Sequence, residues 1–255
     1  MKTTFPLAAA LFSLGLCAAA LAQSPEPAKP VTEQVKAELK KRFPDIPIDS
    51  VRKITYGNLY EVAGGGEIFY TDDKASFLYV GGQLIDTKTR ENVTEARQKQ
   101  LTAVKFDQLP LDAAVKIVRG NGSRKIALFE DPNCGYCKRF ERDLATVNDI
   151  TVYVFLYPIL SPDSTDKSKA VWCAADRGKA WMDMMLKDST PASDGKCDTP
   201  IDKVLAFGRD KRIQGTPTIF FEDGERVPGA MTKDQFEKRL VDAKAALAKA
   251  PIAKQ

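Results

Sequence analysis

A strand–helix–strand pattern with two cysteines at the start of its helix constrains the fold more than any other feature of this sequence. Residues 126–129 and 151–157 are short apolar runs of the kind that form buried strands. Between them, Cys134 and Cys137 follow a polar turn and open a segment whose apolar residues recur at helical spacing. The sequence therefore predicts a βαβ unit in which a Cys-x-x-Cys motif begins the helix.

The sequence after this unit predicts the remainder of one domain. Residues 161–213 are mostly helical in pattern, and an Asp-Gly turn at 223–224 predicts a β-hairpin. A last helix begins near Thr232, which can form a capping box with Gln235. This order of elements is typical of a thioredoxin-like domain with a helical insertion at about 161–213, and we expect that domain to occupy residues 111–255.

Before residue 111 the sequence predicts a smaller module. A helix from Thr32 to Phe43 is followed by four extended runs separated by Gly and Asp turns, at 51–56, 59–62, 67–70 and 77–80. We expect a small antiparallel sheet in an N-terminal dimerisation domain at 23–90, then a linker helix at 91–110. The fold class is therefore α+β.

A module of about 60 residues has a marginal core, because a small domain buries a smaller share of its surface than a large one. Pairing with a second copy of the chain would add buried surface, which makes a homodimer the favoured hypothesis. Packing on the rest of its own chain is the alternative.

The first residues predict a signal peptide. A positively charged start and an apolar run from Leu7 to Leu21 precede the small residues Ala20 and Ala22. The run is shorter than the roughly 20 residues of a comfortable membrane span. We expect residues 1–22 to be cleaved and the mature chain to be exported to the periplasm.

The numbers of cysteines and histidines limit which catalytic and metal-binding sites this chain can form. Cys17 lies in the signal peptide, which leaves an even number of cysteines in the exported chain: Cys134, Cys137, Cys173 and Cys197. An even number in an oxidising compartment favours disulfides. The chain has no histidine, which excludes Ser–His and Cys–His catalysis and His-containing metal sites within one chain. We expect no metal and no other cofactor.

The net charge argues against a nucleic-acid partner. The formal charge of +4 is small for a chain of 255 residues, and the basic residues form no stripe with interleaved aromatics. We therefore expect no nucleic acid among the partners.

The position of the two cysteines predicts thiol–disulfide exchange. Cys134 lies at the helix N-terminus, where unpaired N–H groups and the positive end of the helix stabilise a thiolate. Cys137 lies about one turn further on and is more buried, so it can resolve a mixed disulfide formed by Cys134. Gly135 and Tyr136 add no positive charge, so we expect the helix end to stabilise the thiolate, with Lys138 or Arg139 as candidate cations nearby. This favours an intermediate redox potential.

Other interpretations of these residues stay open. A Cys-x-x-Cys motif can be half of a zinc site, although no second pair or histidine completes it here, or a purely structural disulfide. Cys173 and Cys197 are the other possible disulfide pair. We favour a structural role for this pair, and a second redox centre is the alternative. Glu130 and Asp131 are candidates for proton handling, although acids in loops usually face solvent.

Pro217 stands just before a predicted strand in the second half of the domain. A cis bond between Thr216 and Pro217 would expose the Thr216 backbone for strand-like pairing with an extended substrate. An ordinary trans turn is the alternative, and the place of Pro217 in the order of elements favours the cis form.

Together these motifs resemble those of the DsbC-type periplasmic disulfide isomerases. Residues 129–137 are similar to the active-site stretch of that family, 171–175 to the start of its second cysteine pair, and 215–217 to its cis-proline loop. The resemblance implies a V-shaped homodimer joined through the N-terminal modules. It also implies isomerisation of wrongly paired disulfides in misfolded exported proteins, chaperone-like binding, and reduction by the membrane protein DsbD.

The resemblance assigns roles to individual residues. It implies that Cys134 is the nucleophile and Cys137 the resolving thiol. It also implies that Cys173 and Cys197 form a structural disulfide. The substrate contacts that it implies are Thr216, Pro217, Gly135 and Tyr136. Lys138 stands where the best-known member of the family has histidine, a departure that concerns the redox potential.

Three alternative functions remain open at this point. The chain could be a DsbG-like reductase of single oxidised cysteines, or a dithiol oxidase. In a different class, it could be a holdase or binding module whose Cys-x-x-Cys is structural.

Overall fold

A computed structural model describes Met1 and residues 29–249 of the chain. Apart from Met1, the predicted signal peptide and its Cys17 lie outside the described residues. Among the helices of the described part, none is both long and apolar enough to cross a membrane.

The N-terminal module consists of one helix and a three-stranded antiparallel sheet in the order β1-β2-β3. Its elements are α1 (Val31–Arg42), β1 (Ser50–Lys53), β2 (Tyr60–Gly64) and β3 (Glu67–Thr71). Val35 and Leu39 lie one turn apart on α1, and both pack against Val62 and Phe69 of the sheet. Burial of this apolar helix face holds the module together.

The last predicted strand of the module is reduced to a single bridge. Tyr79 pairs with Tyr70 of β3, but residues 77–80 form no regular strand. Asp72 turns the chain just after β3, because its carboxylate accepts hydrogen bonds from the N–H groups of Lys74 and Ser76 at 3.2 and 2.8 Å. Beyond the two backbone hydrogen bonds between Tyr70 and Tyr79, no ladder forms, so the prediction of a strand there was wrong.

The connecting segment contains α2 (Val93–Thr102) and two short 3₁₀ turns, Phe106–Gln108 and Leu111–Ala113. The side chain of Asn92 caps α2 by accepting a hydrogen bond from the N–H of Glu95 at 3.1 Å. The helix ends at Thr102, well before residue 110.

The C-terminal domain is built on a five-stranded mixed sheet in the order β4-β6-β5-β7-β8. Only β5 and β6 run parallel, and α3 connects them. Its elements are β4 (Val115–Arg119), β5 (Arg124–Glu130), α3 (Gly135–Leu144), β6 (Ile150–Leu156), α4 (Pro162–Trp172), α5 (Arg177–Lys187), α6 (Ile201–Asp210), β7 (Thr218–Phe221), β8 (Arg226–Pro228) and α7 (Lys233–Lys249). The predicted α+β class, the βαβ unit and the hairpin are confirmed.

The capping box predicted for the last helix is also confirmed. The Thr232 N–H donates to the Gln235 side chain at 3.2 Å, and the Gln235 N–H donates back to the Thr232 hydroxyl at 3.4 Å. These two bonds fix the start of α7.

Strand β5 lies in the middle of the domain and is buried on both faces. Ile126 and Leu128 face one apolar cluster, which includes Phe140 of α3, while Phe129 faces the other. The Phe129 ring stacks on that of Phe155, with centroids 4.5 Å apart. Burying each such side chain contributes about 1.5–3 kcal/mol, so the carboxyl end of β5, where the cysteine loop begins, is firmly held.

The linker packs against the hairpin of its own C-terminal domain. The Val104 N–H donates to the Gly224 carbonyl oxygen at 3.0 Å, and Lys99 of α2 forms an ion pair with Glu225 at 3.3 Å. Gly224 lies at the hairpin turn with φ of +90°. A side chain there would be strained and would point at the linker.

Gly224→Ala is expected to lower the free energy of unfolding by about 1–3 kcal/mol, because alanine is strained at positive φ. Its Cβ would also lie 3.0 Å from the carbonyl oxygen of Val104. Gly57→Ala is the matched control, since φ is +58° there and no atom lies within 4 Å of an added Cβ. The free energy of unfolding of this control should fall by about 1 kcal/mol. If chemical denaturation shows that both variants lose the same free energy of unfolding, the linker makes no steric contact at position 224.

Candidate active site

Cys134 is the N-cap of α3. Its backbone is extended, and its Sγ accepts a hydrogen bond from the N–H of Cys137 at 3.3 Å. Helices leave their first N–H groups without partners inside the helix, so the sulfur takes the place of the usual capping oxygen. The thiol also donates to the carbonyl oxygen of Thr216 at 3.3 Å. The sulfur of Cys134 is thus held between the helix start and the loop before β7.

Hydrogen bonds that stabilise its thiolate lower the pKa of Cys134 to about 5. The largest cause is the hydrogen bond from the Cys137 side chain, and the Thr216 side chain and the N–H groups of Cys137 and Tyr136 add to it, whereas burial acts the other way. The Thr216 hydroxyl has no partner while Cys134 is protonated, so it can turn to donate to the thiolate. Cys134 is therefore a thiolate at neutral pH.

Cys137 has the opposite character. It is completely buried, and its pKa is raised by burial, by its hydrogen bond to Cys134 and by the charge of Glu130. Both cysteines are free thiols in the structure. Neither is disulfide-bonded, but Cys134 is 5% exposed and has a lowered pKa, whereas Cys137 is completely buried and has a raised pKa.

Asp131, a candidate for proton handling, is fully buried rather than facing solvent. It accepts four hydrogen bonds of 2.8–3.0 Å, from the N–H groups of Asn133, Ile159 and Leu160 and from the hydroxyl of Ser164. These bonds compensate the carboxylate for the lost water. They also join the cysteine loop to the loop that follows β6.

Glu130 is also fully buried, at the carboxyl end of β5. Unlike Asp131, neither of its carboxyl oxygens has a hydrogen-bond donor. Its pKa is raised well above the usual value by burial and by the neighbouring carboxyl of Glu141. Glu130, the other candidate for proton handling, therefore does not face solvent either.

The residues between and opposite the cysteines form the rim of the site. Tyr136 is 68% exposed, and Gly135 has open space where a Cβ would lie. The Thr216–Pro217 bond is cis, as the sequence predicts. The structure therefore brings four of the predicted residues to one rim around Cys134.

Apolar side chains continue this rim on the loop that Asp131 holds. Ile159 and Leu160 are exposed there, and their N–H groups donate to Asp131 at 2.9 and 3.0 Å. Exposed apolar residues beside a reactive group are suited to contact with a partner molecule.

Cys173 and Cys197 lie apart from this site and form a disulfide, with an S–S distance of 2.01 Å. Cys173 ends α4, and Cys197 lies in the loop before α6. Lys138, expected near the Cys134 thiolate, instead forms an ion pair with Asp188. Within the described part of the chain, no cluster of acidic or cysteine side chains is suited to a metal ion.

Sequence reasoning missed one functional candidate, Glu141. It is buried on α3 and accepts a hydrogen bond from the indole N–H of Trp181 at 2.8 Å. Glu141 comes four residues after Cys137, so both lie on the same face of the helix. That spacing was the signal available in the sequence.

Known families match both halves of the chain. Residues 19–95 match the disulfide bond isomerase protein N-terminal domain, and residues 111–244 match a thioredoxin-like domain. The chain is 48% identical over 219 residues to the probable thiol:disulfide interchange protein DsbC of Bordetella pertussis, which covers 86% of this chain and 76% of that protein. The chain belongs to the DsbC family of thiol:disulfide interchange proteins.

More distant DsbC relatives agree with this membership. The thiol:disulfide interchange protein DsbC of Escherichia coli K12 is 30% identical over 174 residues, which cover 66% of this chain and 70% of that one. A disulfide interchange protein from Neisseria gonorrhoeae has a similar crystal structure, with 39% identity and a TM-score of 0.52. The match covers 53% of this chain and 99% of that one. The predicted family and fold are confirmed.

The ionisation of Cys134 gives a direct test of this DsbC-type site. Thiolate absorbance of the reduced protein should titrate with a midpoint near pH 5, and Cys137→Ala should move it upward because the largest stabilising hydrogen bond is lost. Cys134→Ser supplies the baseline. A midpoint near the ordinary cysteine value of about 8.5 in the unmodified protein would contradict the described geometry.

Proposed function

We propose that this chain isomerises and reduces wrongly paired disulfides in exported proteins through Cys134 and Cys137. The observation that carries the proposal is the contrast between the two sulfurs. An exchange centre needs one thiolate that reaches a substrate and one protonated thiol that waits behind it. The lowered pKa of Cys134 and the burial of Cys137 meet both needs.

In the first step, the Cys134 thiolate attacks one sulfur of a substrate disulfide. A mixed disulfide forms, and the other substrate sulfur leaves as a thiolate. In isomerisation, a substrate thiolate then attacks elsewhere in the substrate and finally displaces Cys134. In reduction, Cys137 attacks the Cys134 sulfur, releases the substrate and leaves a Cys134–Cys137 disulfide.

The rim residues are proposed to hold the substrate chain: Thr216, Pro217, Gly135 and Tyr136. Neither the Cys134 thiolate nor its mixed disulfide has a proton to donate, so the Thr216 carbonyl oxygen can accept from a substrate N–H. The exposed apolar side chains of Tyr136 and Leu160 suit apolar segments of unfolded chains. This supports chaperone-like binding of misfolded proteins.

Cys173 and Cys197 are proposed as a structural disulfide. They lie 24 residues apart in sequence, and closing such a loop stabilises a fold by about 3–4 kcal/mol in the chain-entropy view. Cys173 ends a helix rather than beginning one, so it lacks the N–H groups that make Cys134 a thiolate.

A homodimer joined through the N-terminal modules is part of the proposal. Apolar side chains on the segment after β3 are exposed, namely Phe77, Tyr79, Val80 and Ile85. Exposed apolar residues along a sheet edge favour pairing with another chain. A second copy would cover them and place two Cys134 sites in one V-shaped dimer.

The setting proposed for this chemistry is the periplasm. Cleavage of residues 1–22 would release a mature chain with an N-terminal domain at 23–90, a linker at 91–110 and a catalytic domain at 111–255. An isomerase in an oxidising compartment needs a source of electrons to keep its Cys-x-x-Cys reduced. The membrane reductase DsbD is the proposed source.

Refolding of a scrambled multi-disulfide protein tests the function. The mature chain should restore the native activity of the substrate, and Cys134→Ser should reduce recovery to the uncatalysed rate. Cys137→Ser is the matched control, and it should accumulate a mixed disulfide through Cys134. Recovery that survives Cys134→Ser would contradict the nucleophile assignment. Oxidation of reduced substrate without reshuffling would favour an oxidase, and suppressed aggregation with no exchange would favour a holdase.

Light scattering on the mature chain tests the dimer. We expect a dimer for the unmodified protein and a shift toward monomer for Val80→Glu, because a buried unpaired charge opposes association. Val118→Glu on β4 is the matched control, since Val80 and Val118 are 59% and 53% exposed. A monomeric unmodified chain, or equal effects of both substitutions, would reject this interface.

A further inference from the structure

A group of three cations lies beside the cysteine motif, on the outer side of α3. Lys138 and Arg142 are one turn apart on this helix, so their side chains share one face. Lys167 approaches the same place from α4. The hydrogen bond from Lys138 lowers the pKa of Asp188, at the end of α5, and the charges of Arg142 and Lys167 add to the effect. Three cations from two helices thus meet around one carboxylate.

Two of these cations are attached to the two ends of the motif. Lys138 directly follows the second cysteine, and its ammonium group pairs with Asp188. Lys167 donates to Oδ1 of Asn133 at 2.8 Å, and Asn133 directly precedes the first cysteine. The cation group therefore keeps a fixed position relative to both sulfurs.

The acids of this surface leave part of its positive charge without a partner. Asp188 and Asp163 each pair with a single lysine of the group. Arg139 and Arg142 are exposed, and neither forms an ion pair within the part of the chain that the structure describes. Asp143 is also on α3, but it lies about 100° round the helix from Arg142. Positive charge is therefore available to a molecule that approaches the cysteines.

The opposite side of the nucleophile is uncharged. No charged side chain occurs in residues 214–217 or in residues 229–231, and the two segments are joined by a hydrogen bond of 2.8 Å from the Gly229 N–H to the Pro217 carbonyl oxygen. Over the start of α3 the approach is open, because no atom lies within 4 Å of the place where a Cβ of Gly135 would be. A charged group on an incoming molecule is thus attracted to the α3 side of the site.

Asp188 shows which chemical group the three cations accept. Its carboxylate is 77% exposed and contacts Lys138. An ion pair that is so exposed contributes little to stability. A carboxylate from another molecule can therefore join the group, or take the place of Asp188, at little cost.

We propose that Lys138, Arg142 and Lys167 form a docking site for a carboxylate of a partner protein, carried close to the cysteine that reacts with Cys134. The inference rests on the proposed exchange function and names the class of partner that this site favours. The favoured partners are chains with acidic side chains beside the reacting cysteine.

The docking site acts before any bond forms. Opposite charges raise the rate at which two molecules meet and orient them, and they affect this rate more than the final affinity. The chemical step is unchanged: the Cys134 thiolate bonds to the partner sulfur, and the second sulfur of that disulfide leaves as a thiolate. The expected result is a choice among partners by charge, which salt weakens.

Two matched peptides test this choice on the full mature protein in its reduced form. Each peptide has one cysteine joined in a disulfide to 2-thiopyridine, flanked by two glutamates in one peptide and by two glutamines in the other. Attack by Cys134 releases the coloured, uncharged thiopyridone. At low salt the glutamate peptide should react about threefold faster or more. This ratio of the two rates should approach one at about 1 M salt, where charges are screened within about 3 Å.

Two substitutions should move the ratio in opposite directions. Arg142→Gln should lower it about twofold, because one unpaired cation is lost. Asp188→Asn should raise it, because the competing carboxylate is lost. In both variants the rate with the glutamine peptide and the pH midpoint of the Cys134 thiolate should stay nearly unchanged, which separates docking from activation of the nucleophile.

Lys244→Gln is the matched control, since it removes the same charge from an exposed position on α7. Lys244 lies about two turns beyond Glu237, which pairs with Arg124 at the end of β5 that is remote from the cysteines. The ratio should stay at its unmodified value in this control. An equal fall in Lys244→Gln and Arg142→Gln would overturn the inference, because only net charge would then matter.

Equal rates for the two peptides with the unmodified protein at low salt would also overturn the inference, as would an unchanged ratio in Arg142→Gln. Either result would leave the proposed function intact, because both peptides would still release thiopyridone. If neither peptide released it, Cys134 would not be an exchange nucleophile, and the proposed function would fall together with the docking site.

Discussion

The cap that Cys134 provides for α3 is the interaction on which the site depends. A helix that begins in the core must find partners for its first N–H groups, and here a sulfur takes that role. The same N–H groups then stabilise negative charge on the sulfur. Capping and activation of the nucleophile are thus one interaction, because the helix start that Cys134 caps also stabilises its thiolate.

The rest of the domain holds the two sulfurs in environments that ionise them differently. Strand β5 is buried on both faces, and the loop after it is held by the four hydrogen bonds of Asp131. Cys134 therefore stays at the rim beside Thr216, while Cys137 stays in the core beside Glu130. Their difference in ionisation follows from position, because burial disfavours a thiolate and N–H donors favour it.

Features with a local signal could be predicted from the sequence. The Cys-x-x-Cys, the hairpin and the Thr232–Gln235 box depend on neighbours a few residues apart, and each has a distinctive pattern. Pro217 could be placed because element order locates it opposite the cysteines.

Features that depend on distant packing could not be predicted. Asp131 is held by the loop after β6, and the bond between Glu141 and Trp181 joins residues 40 positions apart. The run 77–80 looks like a strand by composition. Its pairing depends on contacts with β3 across a turn, and only a single bridge forms there.

The redox equilibrium of the mature protein against glutathione, with thiols trapped and counted, tests the central claim most directly. The account predicts that Cys134 and Cys137 exchange between dithiol and disulfide at an intermediate potential, while Cys173 and Cys197 stay oxidised throughout. If the Cys134–Cys137 pair, once oxidised, resists reduction under native conditions, it is a structural disulfide and the exchange function is wrong.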